Sequence, residues 1–161
     1  MDTIIVGYDT SEQAERATVR AAELAQALRA RLVVVSVAPA PAPAVPLTEV
    51  GRVEVPIHVA PGPFGMGVPM PVAEEPQPQP EEVAQHQLAR ARKWLAGRDV
   101  DAEYVGEVGD TAERLLAVAE ERGADLVVVG HREHGFLEHL LHRPVDEAVT
   151  KRACCDVLLV H

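Results

Sequence analysis

Four runs of this chain are apolar without alternation: Ile4-Ile-Val6, Leu32-Val-Val-Val35, Leu126-Val-Val-Val129 and Val157-Leu-Leu-Val160. A strand with one face in water alternates apolar and polar residues, whereas a strand covered on both faces does not. Such runs therefore imply a parallel sheet with helices on both sides. The segments between them carry the matching helical pattern. After the first run, Ala14, Ala17, Ala21, Leu24, Ala25 and Leu28 recur at steps of three and four, one face laid against a sheet. Ser11 or Thr10 stands where a helix cap belongs, and Glu12 and Glu15 lie near the positive helix end. Strand, helix and strand within the first 37 residues make a βαβ unit, whose crossover is right-handed by rule.

The composition then changes. Twelve of the thirteen prolines lie between Pro39 and Pro80, with Gly51, Gly62, Gly65 and Gly67 among them. Proline fixes φ and removes a backbone donor, so regular structure cannot run through most of this segment. Val53, Val55, Ile57 and Val59 alternate with Arg52, Glu54, Pro56 and His58, which predicts a short edge strand or an extended surface arm. The chain reads as one domain over 1–161, with 39–80 inserted between the second strand and the second helix.

Helical spacing resumes at Glu81. Ala84, Leu88, Ala91 and Leu95 share a face, and Trp94, beside it, reads as packing. Ala102–Glu107 is a half-polar third strand, as an edge strand is. Gly109-Asp110-Thr111 caps a helix whose inward residues are Ala112, Leu115, Leu116 and Ala119. After the Leu126 run comes a histidine-rich connection, then a helix from about Pro144 through Val145, Ala148, Val149 and Arg152, then the last strand. Five strands and four helices in alternation predict an α/β fold with a doubly wound parallel sheet.

Charge narrows the function classes. The formal net charge of −10 speaks against nucleic-acid backbones and anionic membranes as partners, because both need a basic footprint. No apolar run approaches the ~20 residues that span a bilayer, and Met1-Asp2-Thr3 lacks the basic start of a secretion signal. The adjacent cysteines Cys154 and Cys155 have no second pair for a disulfide framework. A cytoplasmic setting is the expectation.

Four stretches together resemble the universal stress protein family. Ile4-Ile-Val-Gly-Tyr-Asp-Thr-Ser-Glu12 is similar to its first strand and Asp-x-Ser, and Gly109-Asp-Thr-Ala112 to its Gly-x-x-Ala. Gly123-Ala-Asp-Leu-Val-Val-Val-Gly130 is similar to its most recognisable strand, and Cys154-Cys-Asp-Val-Leu-Leu-Val160 to its terminal strand. The resemblance implies the adenine-nucleotide alpha-hydrolase-like fold with strand order 3-2-1-4-5. It also implies a homodimer formed by antiparallel pairing of Val157–Val160, which would cover an apolar strand edge.

Members of the family that bind ATP carry Gly-x2-Gly-x9-Gly-Ser/Thr after the fourth strand. Glycines there let backbone amides approach phosphate, and the hydroxyl adds a donor at a helix start. Laid on this chain, the positions are Gly130, Glu133, Arg143 and Pro144, so one of four matches. Glu133 would put a carboxylate where donors are needed, and Pro144 has neither hydroxyl nor amide hydrogen. The adenosine half is better kept. By the resemblance, Asp9 stands at the adenine and ribose side, Val37 and Val129 at apolar wall positions, and Val145 at the helix start. Arg143 offers a charged donor to a phosphate. Asp9 is equally readable as a cap for the first helix.

His131, His134, His139 and His142 form two pairs three residues apart, a spacing that can hold zinc or nickel if locally helical. No CxxC partner accompanies them, and solvated loop histidines are the expectation, with no metal site. The cysteines match a family position packed beneath the last strand, which favours a buried thiol over a nucleophile. The resulting expectation is a small homodimeric stress-response protein that acts by binding, with ATP binding lost or weak. An alternative is an ATP or AMP sensor using Asp9, Val37, Gly130 and Arg143. A slow ATP hydrolase, with Glu133 or a loop histidine activating water, would need a Mg²⁺ site, for which only scattered carboxylates are available.

Overall fold

In a computed structural model the protein is described over residues 1–41, 58–60, 68–70, 78–131 and 145–161. It separates into two compact units, Met1–Ala40 with Gln79–His161, and Pro41–Pro78. The larger unit runs β1 (Thr3–Gly7), α1 (Glu12–Leu28) and β2 (Arg31–Ala38). In the smaller unit, β3 (His58–Ala60) pairs antiparallel with β4 (Val68–Met70). The larger unit then continues with α2 (Pro80–Leu95), β5 (Ala102–Val108), α3 (Thr111–Glu121), β6 (Leu126–Gly130), α4 (Val145–Arg152) and β7 (Asp156–Val160).

All five strands of the main sheet are parallel, in the order β5-β2-β1-β6-β7. Counting only these strands, this is the order 3-2-1-4-5, as the resemblance implies. The half-polar strand β5 is indeed an edge. The proposed strand at 53–59 lies for the most part outside the described residues; its last two residues, His58 and Val59, begin β3.

Unbroken apolar runs became strands because both faces are covered. Ile4 and Val6, Leu32 and Val34, and Leu126 and Val128 pack on one side with the alanine face of α1 and with Leu88, Ala91 and Leu95 of α2. Ile5, Val33, Val35, Val127 and Val129 pack on the other with Ala112, Leu115, Val118 and Ala119 of α3 and Ala148 and Val149 of α4. Alternate residues of each strand thus feed opposite layers.

Helix ends follow from local chemistry. Ser11 caps α1 by accepting from the Ala14 amide at 3.2 Å, and Asp110 caps α3 by accepting from the Glu113 amide at 2.9 Å. Arg29 ends α1 in the left-handed region at φ 55°. One residue of the expected α1 face departs from it: Leu28 is 48% exposed. Leu28 is the last residue of α1, past Ala25, the last buried residue of that face within the helix. Arg152, the last residue of α4, is also exposed. It lies 3.7 Å from Glu113 of α3, because the helix ends there and its last turn faces solvent.

Asp125 ties the start of β6 to the start of β1. Its Oδ2 accepts from the Asp2 amide at 2.6 Å and from the Thr3 amide at 3.1 Å, and these amides hold its carboxyl below the usual carboxylate range. On the outer edge, Glu103 of β5 accepts from Nε and Nη2 of Arg122 at 3.2 and 2.8 Å, which lowers the Glu103 carboxyl. Among the described residues no helix is long and apolar enough to cross a membrane.

Candidate functional site

The chain turns back on itself between β1 and β6. From β1 it proceeds outward to β2 and β5, and from β6 outward in the other direction to β7. At such a reversal the connections leave the carboxyl ends of neighbouring strands on opposite sides and open a crevice between them. Asp9 follows β1 here and Gly130 closes β6.

Gly130 meets the first turn of α1. A Cβ built on it would lie 2.7 Å from the Gln13 carbonyl carbon and 2.8 Å from its oxygen, so only glycine lets the helix start pass this close. The next residue, His131, meets the first turn of α4: its Nδ1 lies 2.5 Å from Oδ2 of Asp146. The amide of His131 donates to the Val160 carbonyl at 2.7 Å, extending the β6–β7 pairing by one residue. Two consecutive residues at the end of β6 therefore bring the amino ends of α1 and α4 to one place.

Asp146 is the least expected member of the site. Its side chain is only 9% exposed, and its Oδ1 accepts from the Glu147 amide at 2.9 Å. A buried carboxylate requires such partners, since an unpaired one is strongly disfavoured away from water. Helix α4 answers its own positive end with this carboxylate. Its backbone carbonyl accepts from Thr150 Oγ1 at 2.7 Å. Sequence reading passed over Asp146; the signal available was an acidic residue in the first turn of the helix after β6.

On the other side of the crevice, Oδ1 of Asp9 accepts from both the amide and the hydroxyl of Ser11, at 3.0 and 2.6 Å. Asp9 is exposed and does not itself cap α1; it holds the Ser11 hydroxyl, and Ser11 is the cap. Thr10, between them, adopts φ 68°. Val129 is buried in the apolar layer beneath α3 and α4, and the half-buried Val37 and Val145 pack against that same layer. Val37, Val129 and Val145 thus share the apolar layer on the α3 and α4 side of the sheet, and Gly130 follows Val129 at the end of β6. Arg143, His134, His139 and His142 lie outside the described residues, as do Glu133 and Pro144.

Among the described residues no group of three or more His, Cys, Asp or Glu could hold a metal ion. His131 instead packs against the ring of His161, with centroids 4.6 Å apart and planes tilted by 58°. The cysteines depart from the expectation of burial. Cys154 is exposed and Cys155 half-buried, because the turn between α4 and β7 lies at the surface. Burial still pushes the Cys155 thiol up, away from thiolate character.

A groove of about 620 Å³ lies along the edge strand β7, lined by Val19 of α1, Trp94 of α2, Leu158, Leu159, Val160 and His161. Trp94, expected to pack, is 46% exposed in it. It lies one position off the buried stripe of Leu88, Ala91 and Leu95, and one residue on a helix turns about 100° away.

Comparison with known proteins agrees with this architecture. The model of the universal stress protein family matches residues 1–56 and 55–161. Universal stress protein YxiE of Bacillus subtilis is 33% identical over 73 residues, 45% of this chain and 49% of that protein, so the match spans about half of the relative. A universal stress protein solved in complex with cAMP superposes with a TM-score of 0.66 at 25% identity, covering 99% of this chain and 96% of the other. A universal stress protein from Archaeoglobus fulgidus in complex with dAMP gives 0.63 at 19% identity, covering 100% and 98%, a likeness of fold. The chain belongs to the universal stress protein family.

Proposed function

We propose that this protein acts as a cytoplasmic, homodimeric regulatory protein by binding rather than catalysis, and that it holds ordinary ATP weakly or not at all. The observation that carries this reading is the residue set between β6 and α4. Glu133, Arg143 and Pro144 occupy three positions where phosphate-binding relatives need glycine, glycine and a hydroxyl. Among the described residues, Gly130 against α1 and the apolar layer that Val37, Val129 and Val145 share support a ligand crevice at this end of the sheet. Dimer formation through Val157–Val160 is supported by the half-buried apolar residues that β7 leaves at the sheet edge.

A second reading is an adenine nucleotide sensor in which Asp9, Val37, Gly130 and Arg143 hold ATP or AMP. The similar protein solved with cAMP, a nucleotide with one phosphate, favours this reading in its AMP form. Calorimetric titration of the purified protein with ATP and AMP, with and without Mg²⁺, separates the two. Absence of heat with ATP supports the first reading. Micromolar ATP binding overturns it, and AMP binding without ATP binding supports the sensor.

A further inference from the structure

We infer that Asp146 sets the charge class of the ligand: a carboxylate fixed at the amino end of α4 keeps polyphosphate out and admits adenine nucleosides carrying at most one phosphate. This rests on the reading above that the crevice between β1 and β6 is the ligand site. Phosphate is held at such a place by free helix-end amides and the positive end of the helix dipole. Here a carboxylate of the helix itself meets that positive end and takes one of those amides. Oδ1 of Asp146 takes the Glu147 amide, and Oδ2 is held by Nδ1 of His131. With a side chain 9% exposed and tied at both oxygens, Asp146 cannot swing aside as a surface carboxylate would.

The α1 side likewise presents a carboxylate and a cap. The Ser11 amide and hydroxyl go to Asp9, and the Ala14 amide goes to the Ser11 oxygen. An incoming polyphosphate meets carboxylates at both helix starts, and the repulsion grows with each added phosphate. A nucleoside brings no such charge. His131 covers one oxygen of Asp146 with a ring nitrogen, so its removal leaves the carboxylate bare.

Two substitutions should therefore act in opposite directions. In calorimetric titrations, Asp146→Ser should tighten ATP at least about tenfold, AMP less, and adenosine not at all. His131→Ala should weaken AMP and should not improve ATP. A folded Asp146→Ser protein whose ATP affinity equals that of the wild type overturns the inference, as does an equal gain for adenosine and ATP. Should Asp146→Ser fail to fold, Asp146→Asn removes the charge at constant shape and carries the same readout. The reading of the preceding section is judged by the absolute ATP affinity of the wild type, and the inference by the variant-to-wild-type ratio. Each can therefore fail without the other.

Discussion

The α-carbon of Gly130 carries no side chain because the Gln13 backbone occupies the space: a Cβ there would lie 2.7 Å from the Gln13 carbonyl carbon. A glycine at the end of this strand is readable from sequence as a place where phosphate approaches the backbone. The contact gives it a structural role that any member of the fold with this helix placement would need, ligand or none. Gly130→Ala should lower stability by about 1–3 kcal/mol, the ordinary cost of overpacking, read as a fall of several degrees in thermal denaturation followed by circular dichroism. An unchanged melting temperature would mean that α1 yields at its first turn without cost.

How much was legible follows from where each signal is written. The strands could be read because two-sided burial leaves runs such as Leu126–Val129 with no polar interruption, and their order followed from the family resemblance. The alanine stripe of α1 could be read because burial on one helix face has a period. Asp146 could not. Its meaning depends on His131, fifteen residues away across a connection, and on burial that no local pattern announces. Trp94 and Cys154 were misjudged for a related reason: residue type argued for packing of the first and a family position for burial of the second, while position on the helix face and in the surface turn decided exposure. The hydroxyl of Ser36, buried in β2, donates to Gln87 of α2, a tertiary pairing that likewise leaves no trace in spacing.

Asp125 makes the pH dependence of the fold predictable in sign. Its folded carboxyl is held low by the Asp2 and Thr3 amides, while in the unfolded chain it returns to about 3.9. A depressed carboxylate stabilises the fold above its unfolded value, and the contribution is lost as pH falls through the folded value. Asp125→Ala should therefore melt below the wild type at pH 7. The gap should narrow on acidification below about pH 4. A gap that is constant from pH 7 to pH 2.5 would show that the carboxylate charge plays no part.

Tyr8 presents the opposite case, a buried hydroxyl that meets no hydrogen-bond geometry among the described residues, with Arg90 the neighbouring group that can offer it one. It is 2% exposed, and its hydroxyl makes no hydrogen bond among the described residues. Burial pushes the phenol up, and the nearby Glu15 adds to this; Arg90, which pairs with Glu15 at 3.1 Å, pulls it partly back. Leaving a donor without a partner away from water costs about 1–3 kcal/mol. Tyr8→Phe removes the donor and keeps the ring, so its melting temperature should equal or exceed that of the wild type. A fall of more than a few degrees would reveal a partner for the hydroxyl in solution.

The edge strand carries the last prediction. Val157, Leu158, Leu159 and Val160 are each half-buried in one copy of the chain, and among the described residues β7 has a strand neighbour on one side only. An apolar edge of this kind is a template for another strand, and a second β7 running antiparallel would satisfy it. Light scattering should give twice the chain mass at micromolar concentration. Leu159→Lys should shift it to a monomer while keeping the wild-type circular dichroism. Trp94, the one tryptophan in the sequence, lines the groove beside this strand and so reports on its covering. On dilution through the dissociation range its emission should move to the red and its quenching by acrylamide should rise. A wild-type protein that scatters as a monomer at micromolar concentration would leave the edge to be protected by some other partner, and Trp94 would then show no dependence on concentration.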